Sequence, residues 1–394
     1  MKPLIPYSKQ WIDNSDIKYI TKILRSDWIT QGPTIEKFEK TIAKYVGTKY
    51  AVAVSSGTAA LHAACFAAEI KPSNEVIVPT LTFAASANCV LYLGAKPVLV
   101  DIDYETGNID VNEIRKKITK RTKAIIAVDF AGHPADWDKI KKVAKSHNLV
   151  TIDDAAHALG SQYHGQKIGS IADLTIFSFH PVKTITTGEG GMVVTNNKNY
   201  YERLLRFRHH GIIKKTKIGG WFYEMVDLGY NLRMTDIQAA LGISQLGKID
   251  KFIKKRRAIV KKYNKNFQDL PNIKVPKEKK GSICAWHLYP ARFNLQKLGK
   301  TKKQIYDFLK SKGLGVQVHY IPIHFHPYYQ KHFGYKRSLQ PSSFDKLRTT
   351  GPKKGDFNNA EKFYEEEISL PLFPSLKKTE IDYVVKTVKN LIRS

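Results

Sequence analysis

Between Lys49 and Thr195, short apolar runs alternate with amphipathic segments of helical period, and few architectures accommodate that pattern. Residues 50–54, 75–78, 97–100, 124–128 and 149–152 are four or five residues long and dominated by Val, Ile, Leu and Ala. Strands covered on both faces read this way. Between them, residues 111–118 and 137–147 repeat apolar side chains at helical spacing. The expected fold class is α/β, a mostly parallel sheet flanked by helices. Ligands on such sheets bind beyond the carboxyl ends of the strands. Residues 80–83, 154–157 and 178–183 each follow a strand run directly, so their polar groups converge there.

The remaining chain predicts a helix over 235–246 capped by Thr235 or Asp236, and a long basic helix over 251–267. Beyond these come strands at 287–293 and 314–320 and helices at 302–311 and 379–392. This divides the chain into a large domain, 1–248, and a smaller α+β domain, 249–394. Residues 337–354 lack periodic apolar positions and read as an exposed loop.

A formal net charge of +29 raises the question of a nucleic-acid partner. The lysines are dispersed over helical segments such as 139–145 and 251–265 rather than gathered in an arm with interleaved aromatics. That dispersion favours a solvated surface with a field attractive to an anionic substrate, and no nucleic acid is expected. No apolar run suits a membrane span, and the first residues do not read as a secretory signal. Cys65, Cys89 and Cys284 show no paired spacing, so neither a disulfide framework nor a metal site is expected. A cytoplasmic enzyme is the expectation.

The chemistry concentrates in four motifs. Ser178-Phe179-His180-Pro181-Val182-Lys183 runs into Gly188-Glu189-Gly190-Gly191, placing a lysine between an apolar strand and a glycine turn. Desolvation there lowers an amine's pKa and makes it a competent Schiff-base nucleophile. The others are Asp153-Asp154-Ala155-Ala156-His157, Ser55-Ser56-Gly57-Thr58-Ala59-Ala60-Leu61 and Gly229-Tyr230-Asn231-Leu232-Arg233-Met234. Together they resemble the sugar-nucleotide aminotransferases of the DegT/DnrJ type, fold type I enzymes that use pyridoxal 5'-phosphate.

The resemblance implies a role for each motif. Lys183 supplies the amine that holds the cofactor and shuttles the proton. Asp154 pairs with the pyridine nitrogen, while Asp153 points elsewhere if strand alternation persists. Gly57 and Thr58 open a helix whose amides bind phosphate, and Ser178 adds a hydroxyl. Ser56 is either an N-cap or a ligand. Phe83 is either a plate against the cofactor ring or an ordinary core phenylalanine, His157 contacts the ring oxygen or packs over the other face, and His180 is left open. A homodimer with shared active sites is implied, Asn231 reaching the phosphate of the partner's site. Thr30, Gln31 and Gly32 correspond to a substrate-contacting stretch, and Tyr320 and His324 are further substrate candidates. Residues 178–191 and 317–324 most resemble the pseudaminic acid branch. That branch transfers the amino group of glutamate to carbon 4 of a UDP-linked 4-keto-6-deoxy-N-acetyl sugar. Amination of another 3- or 4-keto-deoxysugar nucleotide is the alternative. A dehydratase of the same family is disfavoured by Lys183, and a regulator or nucleic-acid binder on this fold is the third reading.

Overall fold

The computed structural model describes residues 4–335 and 356–393, so the loop expected at 337–354 lies outside the described residues. Seven strands form the central sheet: β1 (Tyr50–Val54), β2 (Glu75–Pro79), β3 (Lys96–Val100), β4 (Thr122–Val128), β5 (Val150–Asp154), β6 (Leu174–Ser178) and β7 (Gly191–Thr195). Their spatial order is β1–β7–β6–β5–β4–β2–β3. The five strands from β3 to β6 run parallel, and β7 runs antiparallel to both its neighbours. Alternate side chains feed two separate cores. Ala51, Ala53, Ile125 and Ala127 pack on one face. Val52, Val54, Ala124 and Ile126 pack on the other. Covering both faces explains why these runs are apolar throughout rather than alternating.

The helix Gly57–Ala67 lies flat on the sheet because its buried face is mostly alanine. It begins at Gly57, since Ser56 is extended and its Oγ accepts from the Ala59 N–H at 3.1 Å. The helix Asp236–Leu246 is capped by Thr235, whose hydroxyl and Gln238 form a reciprocal box. Asp236, fully buried, serves a different helix. Its carboxylate accepts from Gly32 N (2.8 Å) and Thr34 N (2.9 Å) at the start of Pro33–Val46.

A third core gathers Tyr289–Phe293, paired antiparallel with Glu367–Leu370, under the helices Lys302–Ser311 and Lys378–Arg393. The helix Ile249–Phe267 joins the cores: Phe252 and Ile253 pack against the sheet, and Tyr263 and Phe267 lie in the third core. Ile5, from the other end of the chain, packs in the third core too.

Two expectations need correction. Residues 314–320 do not form a strand, and only Leu314 (with Ile5) and Gln317 (with Ser369) make single bridges. A Cβ on Gly315 would lie 2.7–2.9 Å from the backbone of Ile5, Pro6 and Tyr7. The N-terminal segment thus packs where a neighbouring strand would run, and the chain bends away. The strand expected at 287–293 starts at Tyr289, because the His287 N–H donates across to Ala131 O (2.9 Å) in the turn that follows β4.

Arg256 fixes that crossing. It is 1% exposed, and its guanidinium donates to three carbonyls: Trp286 O (3.3 Å), His287 O (3.1 Å) and Leu372 O (3.0 Å). Burial lowers its pKa to about 10, still charged at neutral pH. Arg256→Met keeps the apolar stem but leaves these carbonyls unpaired. Hydrogen bonds to a charged group contribute about 1.5–3 kcal/mol each, so a loss of about 3 kcal/mol or more is expected, read as a lower midpoint in denaturant titration. A stability within about 0.5 kcal/mol of the parent, the range of an ordinary surface change, would show that water replaces the guanidinium.

Candidate active site

A cavity of about 440 Å³ opens beyond the carboxyl ends of β4, β5 and β6, against the start of the helix Gly57–Ala67. Its upper edge is built by close backbone approach. A Cβ on Gly57 would lie 2.9 Å from Ser178 Cβ. One on Gly191 would lie 2.3 Å from Ser56 O. Both positions must stay glycine for the helix start to press against β6 and β7. Gly57, Thr58 and Ser178 line the space left, where first-turn amides and two hydroxyls suit a phosphate. Ser56 also lines it, although its Oγ already caps Ala59 N.

Lys183 follows β6 in a turn closed by its N–H donating to His180 O (2.9 Å). The residue is half-buried, yet protein encloses its amine closely. Desolvation lowers the pKa to about 8, and the Asp154 carboxylate pulls the other way. Asp154 ends β5 and faces the same cavity. Its Oδ2 accepts from Ser86 Oγ at 2.6 Å, its Oδ1 from Ala156 N at 3.3 Å, and Ser86 is itself bonded to Thr82 Oγ1 at 2.8 Å. Burial raises the Asp154 pKa, while Ser86, Ala156 N–H and Lys183 favour its charge. Asp153 faces away from the cavity as strand alternation requires. Both its oxygens are buried with no well-formed hydrogen bond among the described residues, and burial pushes its carboxyl well up against a weak opposing effect of the nearby Thr175 hydroxyl. A neutral acid there is the physical consequence. Asp129, buried nearby, is raised to about 7 for the same reason.

Aromatic groups complete the wall. Phe83 is 59% exposed, so it is a cavity-facing ring and not a core one, and it lies 5.9 Å from the Tyr320 ring. His157 Nδ1 accepts from the Ala131 N–H (3.3 Å), and burial holds the ring neutral. Its proton therefore sits on Nε2, which meets the Tyr320 hydroxyl at 3.0 Å. Donation from Nε2 leaves the hydroxyl hydrogen of Tyr320 free for a ligand. His180 also lines the cavity. Sequence reasoning did not select Tyr7, Glu189, His287 or His319, which line it as well, nor Ser86, which orients Asp154. Ser86 left a signal, one helical turn after Thr82, and Glu189 and His319 stand inside stretches that the sequence singled out for other residues.

Five selected residues are not brought to this cavity. His324 is 0% exposed and clamped between Thr80 Oγ1 (2.7 Å) and Glu361 Oε1 (3.1 Å). Core packing occupies both its nitrogens, so a direct substrate contact does not fit its position. Thr30 bridges Thr235, Gln31 has a positive φ of 55°, and the Gly32 N–H is taken by Asp236. Asn231 is exposed and bridges His209. These four lie on the outer surface of the chain.

Pyridoxal phosphate needs an amine, a carboxylate, an anion cradle and a flat neighbour, and the cavity holds a residue fit for each need. The profile of the DegT/DnrJ/EryC1/StrS aminotransferase family matches residues 10–389. The UDP-4-amino-4,6-dideoxy-N-acetyl-beta-L-altrosamine transaminase of Campylobacter jejuni is 39% identical, over 99% of this chain and 98% of its own. Helicobacter pylori PseC, an aminotransferase involved in the biosynthesis of pseudoaminic acid, superimposes with a TM-score of 0.89. It is 34% identical and covers 99% of this chain and 100% of its own. The PLP form of the Streptococcus pneumoniae sugar aminotransferase Spr1654 superimposes with a TM-score of 0.87 at 32% identity, covering 99% of each chain. The chain belongs to the DegT/DnrJ/EryC1/StrS family and is a pyridoxal phosphate-dependent sugar nucleotide aminotransferase of fold type I.

Proposed function

We propose that this aminotransferase carries the amino group of glutamate to carbon 4 of UDP-2-acetamido-2,6-dideoxy-4-keto-beta-L-arabino-hexose, working in the cytoplasm as a homodimer with shared sites. The observation that carries amino transfer is the enclosure of Lys183 and Asp154 in one cavity beside a helix N-terminus. The choice of sugar is supported by the activity named for the Campylobacter relative. The positive field of the chain suits a diphosphate-bearing substrate.

When bound, the cofactor supplies an electron-accepting ring that stabilises negative charge on the carbon beside the transferred nitrogen. The chain does the rest. First-turn amides at Gly57 and Thr58, with the Ser178 hydroxyl, hold the phosphate. Asp154, aimed by Ser86, gives a ring nitrogen its counter-charge. Phe83 would lie against the cofactor ring. With a pKa near 8, about a tenth of Nζ is neutral at pH 7, against well under a thousandth for an ordinary lysine, so Lys183 can take a proton from a substrate carbon onto Nζ and give one back from it. Tyr320, its hydroxyl hydrogen left free by His157, is placed to donate to a ligand oxygen.

Dimer formation is supported by exposed apolar side chains in the segment leading to Asn231. Trp221, Leu228 and Met225 are 69–78% exposed, and Tyr230 adjoins them. Apolar patches of this kind are seldom left open in a monomer.

The substrate is tested by mass spectrometry of products from a panel of keto-sugar nucleotides with glutamate. The expected product is a single 4-amino UDP sugar. Preferred amination at carbon 3, or of a GDP- or TDP-linked sugar, would overturn the substrate assignment and leave the aminotransferase intact.

Site sharing is tested with two inactive variants, Lys183→Ala and Asn231→Asp, the second setting a carboxylate against the phosphate. In a mixed dimer with crossed sites, one site carries both lesions and the other neither. Activity should then reappear after subunit exchange, up to about half that of the parent per mixed dimer. Continued inactivity despite demonstrated exchange would place Asn231 in the site of its own chain.

A further inference from the structure

Beneath the cavity wall lies a buried polar chain that the mechanism above does not use. His319 lines the cavity and is 8% exposed; Ser369 and Glu367 behind it are 1% and 0% exposed. The Ser369 hydroxyl donates to Glu367 Oε1 at 2.5 Å. Glu367 Oε2 accepts from the His319 backbone N–H at 2.8 Å. His319 Nδ1 meets Ser369 Oγ at 2.8 Å. A hydroxyl has one hydrogen, and the ionised Glu367 carboxylate takes it. Nδ1 must therefore carry the ring's proton and donate to Ser369. His319 Nε2 is left with a lone pair. It has no protein partner among the described residues and is not among the polar atoms sealed from solvent.

We propose that Glu367 and Ser369 are positioning residues that fix this tautomer, so that His319 Nε2 accepts a hydrogen bond from a sugar hydroxyl and offers none to a carboxylate of the amino donor. The inference rests on the sugar aminotransferase activity and on no particular sugar. One cavity must receive two unlike substrates in turn, one rich in hydroxyl donors and one bearing two carboxylates. A lone pair at Nε2 attracts the first and repels the second, whereas an N–H would do the reverse. Burial and the nearby Lys183 charge push the His319 pKa down to about 3, so the ring stays neutral while the tautomer is read. Burial raises the Glu367 pKa to about 7 against the opposing charge of Lys302, whose amine bonds Tyr364 O, so the carboxylate is ionised and the tautomer fixed on the alkaline side of neutrality.

Glu367→Gln tests the tautomer at nearly constant shape. Its amide oxygen keeps the His319 N–H, so its NH2 faces Ser369. The Ser369 hydroxyl then turns to Nδ1, and the ring proton moves to Nε2. In 15N-histidine spectra of the full-length protein at mildly alkaline pH, His319 should be protonated at Nδ1 in the parent and at Nε2 in the variant. The peaks are assigned with His319→Asn. Loss of one substrate hydrogen bond should lower kcat/KM for the keto-sugar about tenfold. The half-reaction with the amino donor should stay at the parent rate or rise. A parent ring protonated at Nε2 overturns the proposal. So does a tautomer change that slows both half-reactions equally or neither. Should Glu367→Gln fail to fold, Ser369→Ala decides. Selective loss of the sugar half-reaction supports the proposal, and equal loss in both, or none, overturns it.

Discussion

Withdrawing an amine and a carboxylate from water at the end of one sheet is the constraint on which this structure depends. Water solvates each far better than protein does, so Lys183 and Asp154 stay functional only because their surroundings are arranged for them. For Asp154 the compensation is two hydrogen bonds, from Ser86 and Ala156, and the charge of Lys183. For Lys183 it is incomplete, and the residue answers with a pKa near 8, where an amine can both hold and release a proton. Asp153, one residue away on the opposite face, has only the nearby Thr175 hydroxyl to set against burial and the charges of Asp129 and Asp154, and is driven toward neutrality. The pleat of one strand thus separates a working carboxylate from a silent one.

The same economy governs the cradle. The helix Gly57–Ala67 meets β6 and β7 too closely for a side chain at Gly57 or Gly191. That closeness brings the first-turn amides and the Ser178 hydroxyl to one place. On the opposite wall, the irregular path through residues 314–320 carries His319 and Tyr320 to the cavity. A regular strand would have alternated these neighbours between two faces. Gly315 and the N-terminal segment packed on it enforce the bend, while Arg256 fixes the neighbouring crossing at His287. Distant parts of the chain therefore meet in the wall facing the cofactor pocket.

Much of this was legible in the sequence. The strands read at 50–54, 75–78, 97–100, 124–128 and 149–152 announce themselves because burial on both faces leaves little room for polar side chains. Lys183, Asp154, Gly57, Thr58 and Ser178 are legible because each belongs to a motif directly following a strand or opening a helix, so their convergence follows from topology. What stayed hidden depends on tertiary contact. His324 looked available within a polar, aromatic stretch, but Thr80 and Glu361, far away in sequence, claim both its nitrogens. Tyr7 and His287 carry no local pattern, and only packing brings them to the cavity. The expected strand at 314–320 failed because apolar periodicity does not register that Gly315 touches the chain's beginning.

The account turns on one amine. Borohydride treatment of the cofactor-loaded protein, followed by proteolysis and mass spectrometry, identifies the lysine that carries pyridoxal phosphate. The account predicts a reduced adduct on the peptide containing Lys183, in a yellow protein that loses its colour when glutamate is added first. An adduct on any other lysine, or a protein that takes up the cofactor without forming one, would contradict it.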